Sequence, residues 1–213
     1  MDTLKLRFNG LCKQHLYPTA SFDANWVSQD ILQKYAQPLR RYHNQQHLIH
    51  CLEQLDQVKH LIPHANAVEM ALWFHDAIYV PGKTDNEQKS SELFMEYARD
   101  AFPIEFIRHV ERLILVTTHK HTSIDVDERF IADIDLSSFG LDWGDFLVDT
   151  QNLREERLDI PDSAYFQAHT QFLKHLMSRG SIFQTQPFFD LYEQTAKQNI
   201  SRLLLKRKSE NYE

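Results

Sequence analysis

Glycine and proline are scarce in this chain, 5 and 7 of 213 residues, which leaves little material for the tight turns an all-β fold needs between its short strands. Cysteine is scarcer still. Cys12 and Cys51 form no CxxC pair and are too few for a disulfide framework, which points to a reducing cytoplasm. No apolar run approaches the roughly 20 residues a membrane-spanning helix requires, and Met1 to Gly10 interleaves charged with apolar residues where a signal peptide would carry an apolar core. Basic residues are outnumbered, 23 against 30 acidic, for a formal net charge of −7; broad affinity for nucleic acid or an anionic membrane is not expected, because such binding rests on Lys and Arg neutralising phosphates. Internal repeats and low-complexity linkers are missing as well. What remains is 42% hydrophobic and 25% charged, in a length that suits one core. The expectation is a single all-α domain over residues 1–213, soluble and cytoplasmic, of undetermined oligomeric state.

Helical spacing recurs along the chain. Phe22, Trp26, Val27, Ile31 and Leu32 predict a helix from about Ser21 that Pro38 ends. His43, His47, Cys51, Leu55 and Val58 share one stripe running to about Leu61, before Pro63. Ala67 to Ile78 is apolar almost all round and reads as a buried helix. Val80-Pro81-Gly82-Lys83 is a loop, with Lys83 a solvated loop lysine or else a phosphate contact, and Thr84 or Asp85 caps a helix through about Ala101 with Glu87 in its first turn. Helices follow from Pro103 to near His119 and His121, from Phe130 to Phe139 closed by Gly140, and over Trp143 to Leu158, Asp162 to Arg179 and Pro187 to Lys206. Lys206-Arg207-Lys208 reads as a solvated helix terminus favoured by the helix dipole.

Two segments carry the chemistry. Tyr42-His43-Asn44-Gln45-Gln46-His47 places histidines four apart, which on a helix share a face. About one helix-length later comes His75-Asp76, inside Ala71-Leu72-Trp73-Phe74-His75-Asp76-Ala77-Ile78. A histidine beside a carboxylate on a buried helix needs partners for both groups, and a metal ion supplies them. An imidazole binds one ion, whereas a carboxylate can bridge two. A further carboxylate is available in Phe130-Ile131-Ala132-Asp133-Ile134-Asp135-Leu136, where two aspartates interrupt an apolar run. Residues two apart on a helix point to nearly opposite sides, so only one of them can serve.

The order His, His-Asp, Asp resembles the HD superfamily of metal-dependent phosphohydrolases. Tyr42-His43-Asn44 with His47 is also similar to the signature of the class I cyclic-nucleotide phosphodiesterases, a branch of that superfamily. The nearest resemblance is to a bacterial family of predicted HD phosphohydrolases of about this length, from near Arg40 to the C-terminal helix, with the core motifs over about 40–140. The resemblance implies an all-α HD fold in which His47, His75, Asp76 and Asp135 hold a divalent ion, Asp135 being chosen over Asp133 because Ile134-Asp135-Leu136 matches the family's last aspartate. It also implies that His43 protonates the leaving group, consistent with an imidazole's titration near neutral pH. Arg154-Glu155-Glu156 and Ile160-Pro161-Asp162 through Tyr165 extend the likeness. The Gly-Arg pair expected after them is replaced by Ala168-His169, so no substrate-binding arginine carries over at that point.

The function expected is hydrolysis of a nucleotide or other small phosphate ester by metal-activated water, with one or two ions of Mg, Mn, Zn, Fe, Co or Ni. His43 acts as acid. Glu87 is either a base toward the attacking water or a carboxylate placed by the helix dipole. His119 and His121 are loop or substrate-facing histidines, or ligands of a second ion. A non-hydrolytic protein on the same scaffold, a di-iron oxygenase or a nucleotide-binding regulator, is the alternative.

Overall fold

The computed structural model describes residues 2–209. Among them are ten α-helices, two 3-10 turns and no strand, as the scarcity of turn residues predicts. The chain divides between Ile131 and Ala132 into two compact units, each built around its own core.

The first unit begins with α1 (Asp2–Lys13), which the sequence pattern does not single out. Its charged residues hide a narrow stripe, Phe8, Leu11 and Cys12, at most 3% exposed. The helix α2 (Ala24–Tyr35) starts where the Asp23 side chain accepts the Trp26 backbone N–H at 3.0 Å. Next come α3 (Gln45–Val58), continued by a 3-10 turn Lys59–Leu61, and α4 (Ala65–Phe74). Then follow α5 (Asn86–Ala98), α6 (Ile104–Val116) and α7 (Val126–Leu136), of which the residues up to Ile131 belong to this unit.

The helix α4 is the centre of this unit. Val68, Ala71, Leu72 and Trp73 have no exposed surface, and α1, α3, α5 and α6 all pack on the helix. Phe8 meets Trp73 edge-on at 5.0 Å and Phe94 meets Phe74 at 5.1 Å. Each such buried side chain contributes about 1.5–3 kcal/mol relative to exposure, so the helix end that carries His75-Asp76 is fixed by an apolar core.

In the second unit a 3-10 turn Ser137–Gly140 leads into α8 (Trp143–Glu155), α9 (Asp162–Met177) and α10 (Gln186–Ser209). The 3-10 turn is held on α10 by Asn199, whose amide donates to the Phe139 and Leu141 carbonyls at 3.0 and 2.8 Å. Gly140 lies against Tyr192 so closely that a Cβ there would stand 2.4 Å from the Tyr192 Cβ. The basic end departs from the sequence expectation. Lys206 and Lys208 are exposed, but Arg207 is 3% exposed, donates to His169 Nδ1 at 2.8 Å and lies 4.9 Å from the Phe166 ring. It shares the stripe of Ile200 and Leu203 and therefore turns inward with them.

Candidate metal centre

Two helix ends in the first unit converge here. The helix α3 is capped by Asn44, whose side chain accepts the Gln46 N–H at 2.7 Å while its amide donates to the Arg41 carbonyl at 2.6 Å. The helix therefore starts at Gln45. His43 lies in the preceding turn and not one helical turn before His47 on a shared face, as its spacing predicts. Asn44 is a cap, as its residue type favours. The helix α4 likewise ends at Phe74, earlier than the apolar run suggests, with His75 as its C-cap. The doublet thus sits where α4 unwinds, at the carbonyl end of the helix dipole, a favourable place for a cation.

His47 is 6% exposed, His75 1% and Asp76 8%. His75 Nδ1 is 2.7 Å from the Leu72 carbonyl, which assigns the ring proton to Nδ1 and leaves a lone pair on Nε2. That Nε2 faces His47 Nε2 at 3.2 Å and Asp76 Oδ2 at 3.1 Å, while His47 Nε2 is 3.6 Å from the same oxygen. Hydrogen bonding alone serves this triangle poorly, because the one proton His47 Nε2 can offer reaches a single partner. A cation 2.0–2.2 Å from three donors holds them roughly 2.9–3.5 Å apart and satisfies all three. Burial alone would push the Asp76 carboxyl up; the positive charge that His75, His43 and His47 carry when protonated outweighs it and holds the group below the usual carboxylate range.

Cys51, one turn after His47 on α3, is a neighbour that the stripe contains but its chemistry does not announce. Its Sγ lies 3.7 Å from His47 Nε2, and donor atoms of Cys51, His47 and His75 lie within 4.8 Å of one another. Two candidates thus compete for the third place beside the imidazoles, the thiol and Asp76. Asp76 Oδ2 stands 3.1 Å from the His75 nitrogen and 3.6 Å from that of His47, and the Cys51 thiol is the other donor within reach of the same two rings.

Arg40 braces the doublet. It is 6% exposed, donates from Nη1 to the Asp76 and His43 carbonyls at 2.5 and 3.1 Å, and from Nη2 to the Ala77 carbonyl at 2.9 Å. Its guanidinium lies 5.3 Å from the Tyr35 ring centroid and 5.6 Å from that of Tyr79. The Tyr35 hydroxyl accepts the Asp76 N–H at 3.2 Å. Asn86, at the start of α5, fixes the following loop by accepting the Val80 N–H at 2.9 Å and donating to the Val80 carbonyl at 3.1 Å. The sequence announces none of these supports, since their partners are backbone groups.

His43 is half-buried and stacks on Tyr79 at 4.1 Å, its ring centroid 6.1 Å from that of His47. It is beside the donor triangle and outside it. Glu87 is half-buried in the first turn of α5, and Lys83 is exposed. His119 is half-buried with φ 52°, a left-handed conformation, and His121 is exposed. Neither belongs to a described group of three or more closely spaced donors.

In the second unit, Asp135 is half-buried in the last turn of α7. Asp133 is fully buried and not outward-facing. Its carboxylate accepts the Gln184 N–H at 2.8 Å, the Thr185 N–H at 2.7 Å and the Thr185 hydroxyl at 2.7 Å, which ties down the segment immediately before α10. Arg154, from the run similar to the family's later pattern, acts locally. It donates to the Arg157 and Ile160 carbonyls, pairs with Asp162 and lies 5.1 Å from the Tyr165 ring centroid.

No helix of the described residues is long and apolar enough to cross a membrane. No protein-family model matches the chain, and no curated protein or solved structure matches it either.

Proposed function

We propose that the chain is a metal-dependent phosphohydrolase acting on a nucleotide or other small phosphate ester. The observation that supports this reading is the triangle of His47 Nε2, His75 Nε2 and Asp76 Oδ2, with sides of 3.2, 3.1 and 3.6 Å and with His75 Nε2 left as a lone-pair donor by its Nδ1 contact. These three would hold the ion. Asp135 joins the ligand set on the strength of the family resemblance.

Two imidazole nitrogens favour Mn, Fe, Co, Ni or Zn over Mg, which prefers an all-oxygen shell. Such an ion supplies an acidified water as nucleophile and neutralises charge on the phosphoryl oxygens. The chain supplies the rest. His43, held against Tyr79 in the turn before α3, donates a proton from its imidazole to the departing oxygen, and the Arg40 clamp keeps the Asp76 backbone in place beneath it. Glu87 orients the attacking water.

The reading is tested by a screen of nucleotides, dinucleotides, cyclic nucleotides and an aryl phosphate, each with several divalent ions, on wild type and on three variants. Asp76→Ala and His47→Ala should lose metal and activity together. His43→Ala should keep its metal and lose about 10²- to 10⁴-fold in rate with an alkoxide-like leaving group, but far less with nitrophenolate, which leaves without a proton. Full metal content in Asp76→Ala, or no turnover of any substrate with any ion, would remove the assignment. Equal losses on the two leaving groups would remove the acid role of His43.

A further inference from the structure

A second histidine cluster in the first unit takes no part in the centre above. His64 is the N-cap residue of α4, His109 lies in the middle of α6, and Asp127 is in the first turn of α7. One donor atom of each lies within 4.8 Å of the other two. Asp127 is 3% exposed, and its two oxygens are differently employed. Oδ1 accepts the His64 backbone N–H at 3.2 Å, which anchors the carboxylate. Oδ2 faces both imidazoles, 2.7 Å from His64 Nδ1 and 3.2 Å from His109 Nε2.

The plainer account is a carboxylate accepting two imidazole hydrogen bonds. His64 fits it and His109 does not. His109 Nε2 is buried and makes no hydrogen bond, although Asp127 Oδ2 is within 3.2 Å, so the oxygen lies off the direction in which the ring nitrogen points. That is the disposition of two donors sharing a tetrahedral cation, where the neighbouring ligand stands to one side of the nitrogen–metal axis at about 3.3–3.5 Å. The His64 contact is too short for such an edge, and its side chain, 66% exposed, has room to swing outward by the roughly 0.6 Å required. Water ligands have room as well: the cluster borders a cleft of about 530 Å³ lined by His15, Ile62, His64, Asn66, Phe106 and His109.

We propose that His64, His109 and Asp127 form a second metal site, separate from His47, His75 and Asp76, which binds a zinc-like divalent transition-metal ion. Two nitrogens and one oxygen suit zinc and cobalt and are a poor match to calcium or magnesium. Because its ligands come from three segments, the loop before α4, α6 and α7, the ion ties them together, and the remaining coordination position opens on the cleft.

The test uses the full chain, stripped with a chelator, reloaded with zinc alone, desalted and assayed for bound metal, with cobalt loading as an optical check. His64→Ala changes an exposed side chain and should retain the wild-type circular dichroism. It should hold one equivalent of zinc fewer than wild type and lose one set of cobalt d–d bands, and His109→Ala should do the same. His75→Ala should lose a different equivalent, and the double variant His64→Ala/His75→Ala should lose both. Zinc content and cobalt spectra in His64→Ala and His109→Ala equal to those of wild type would overturn the second site. Unchanged content in His75→Ala would instead count against the first centre, so the two failures are distinguishable.

Discussion

Arg40→Met is the most informative single perturbation of the candidate centre, because it keeps the apolar stem and removes every donor. The wild-type guanidinium serves the Asp76, Ala77 and His43 carbonyls, and the contacts with Asp76 and Ala77 are buried. A buried acceptor stripped of its partner costs about 1–3 kcal/mol, so these two alone imply about 2–6 kcal/mol. The contacts with the Tyr35 and Tyr79 rings add about 0.5–1 kcal/mol each, and the thioether that replaces the guanidinium returns part of this through packing. The expected loss is about 3–6 kcal/mol, a fall in melting temperature of about 6–24 °C for a chain of this size. Arg40→Lys should fall between wild type and Met, since an ammonium cannot span the same carbonyls in a fixed fork. Urea unfolding measures the stability. A metal titration below the variant's melting range measures the consequence for the doublet, with affinity expected to drop at least tenfold as the Asp76 backbone loosens. A loss under 1 kcal/mol together with unaltered metal affinity would refute the reasoning, because it would mean that water replaces the guanidinium without cost.

Asp133→Asn should lower stability by about 1–3 kcal/mol with metal content intact, because its oxygens serve Gln184 and Thr185, whereas Asp135→Asn should lose metal with little change in melting if the resemblance assigns its role correctly; reversed results would exchange the two aspartates. Gly140→Ala should destabilise by about 1–3 kcal/mol in chemical unfolding, since its Cβ would press into Tyr192. His169 is held down to about 3, first by burial and then by the Arg207 charge. Its unfolded form takes up a proton below about 6.5 while the folded form stays neutral, so the stability it contributes is complete above that pH and drains away from about 6.5 to about 3, by less than about 1.4 kcal/mol per pH unit. His169→Gln should flatten that part of the stability–pH curve, and an unchanged slope would show that His169 is not the group concerned.

The fold class is legible in the sequence because helical periodicity survives without knowledge of contacts. Boundaries are less so. Asn44 is a good cap, yet the histidine spacing draws the start of α3 back to His43, and the apolar run to Ile78 hides the unwinding at His75. Two misreadings share one cause, that charged residues are read by composition and not by helical phase. The α1 stripe of Phe8, Leu11 and Cys12 lies under interleaved charges, and Arg207, four residues after Leu203, groups in sequence with its exposed neighbours. Asp133 is not legible at all. The groups it holds are 51 and 52 residues away, and nothing local to Ile131-Ala132-Asp133 announces them.

What separates a structural carboxylate from a candidate metal ligand in this chain is how its lone pairs are used, which residue type and burial do not reveal. Asp133 and Glu193 are buried and meet N–H or O–H donors: Glu193 accepts the Ile182 and Phe183 backbone N–H groups at 3.0 Å and pairs with Lys197 at 2.8 Å. Those donors bring their own protons and leave no demand for a cation. Asp76 and Asp127 are equally buried, but an oxygen of each faces two imidazole nitrogens that cannot both serve it as well-aligned donors. At Asp76 the His75 proton is committed to the Leu72 carbonyl, and at Asp127 the His109 nitrogen makes no hydrogen bond. Each place therefore holds a carboxylate oxygen against an imidazole nitrogen that does not hydrogen-bond to it along its axis, a juxtaposition that a cation would satisfy. The same criterion ranks the centre at His47, His75 and Asp76 above the cluster at His64. In the first, all the donors are buried and two of them are adjacent residues at the end of α4; in the second, the His64 side chain is exposed.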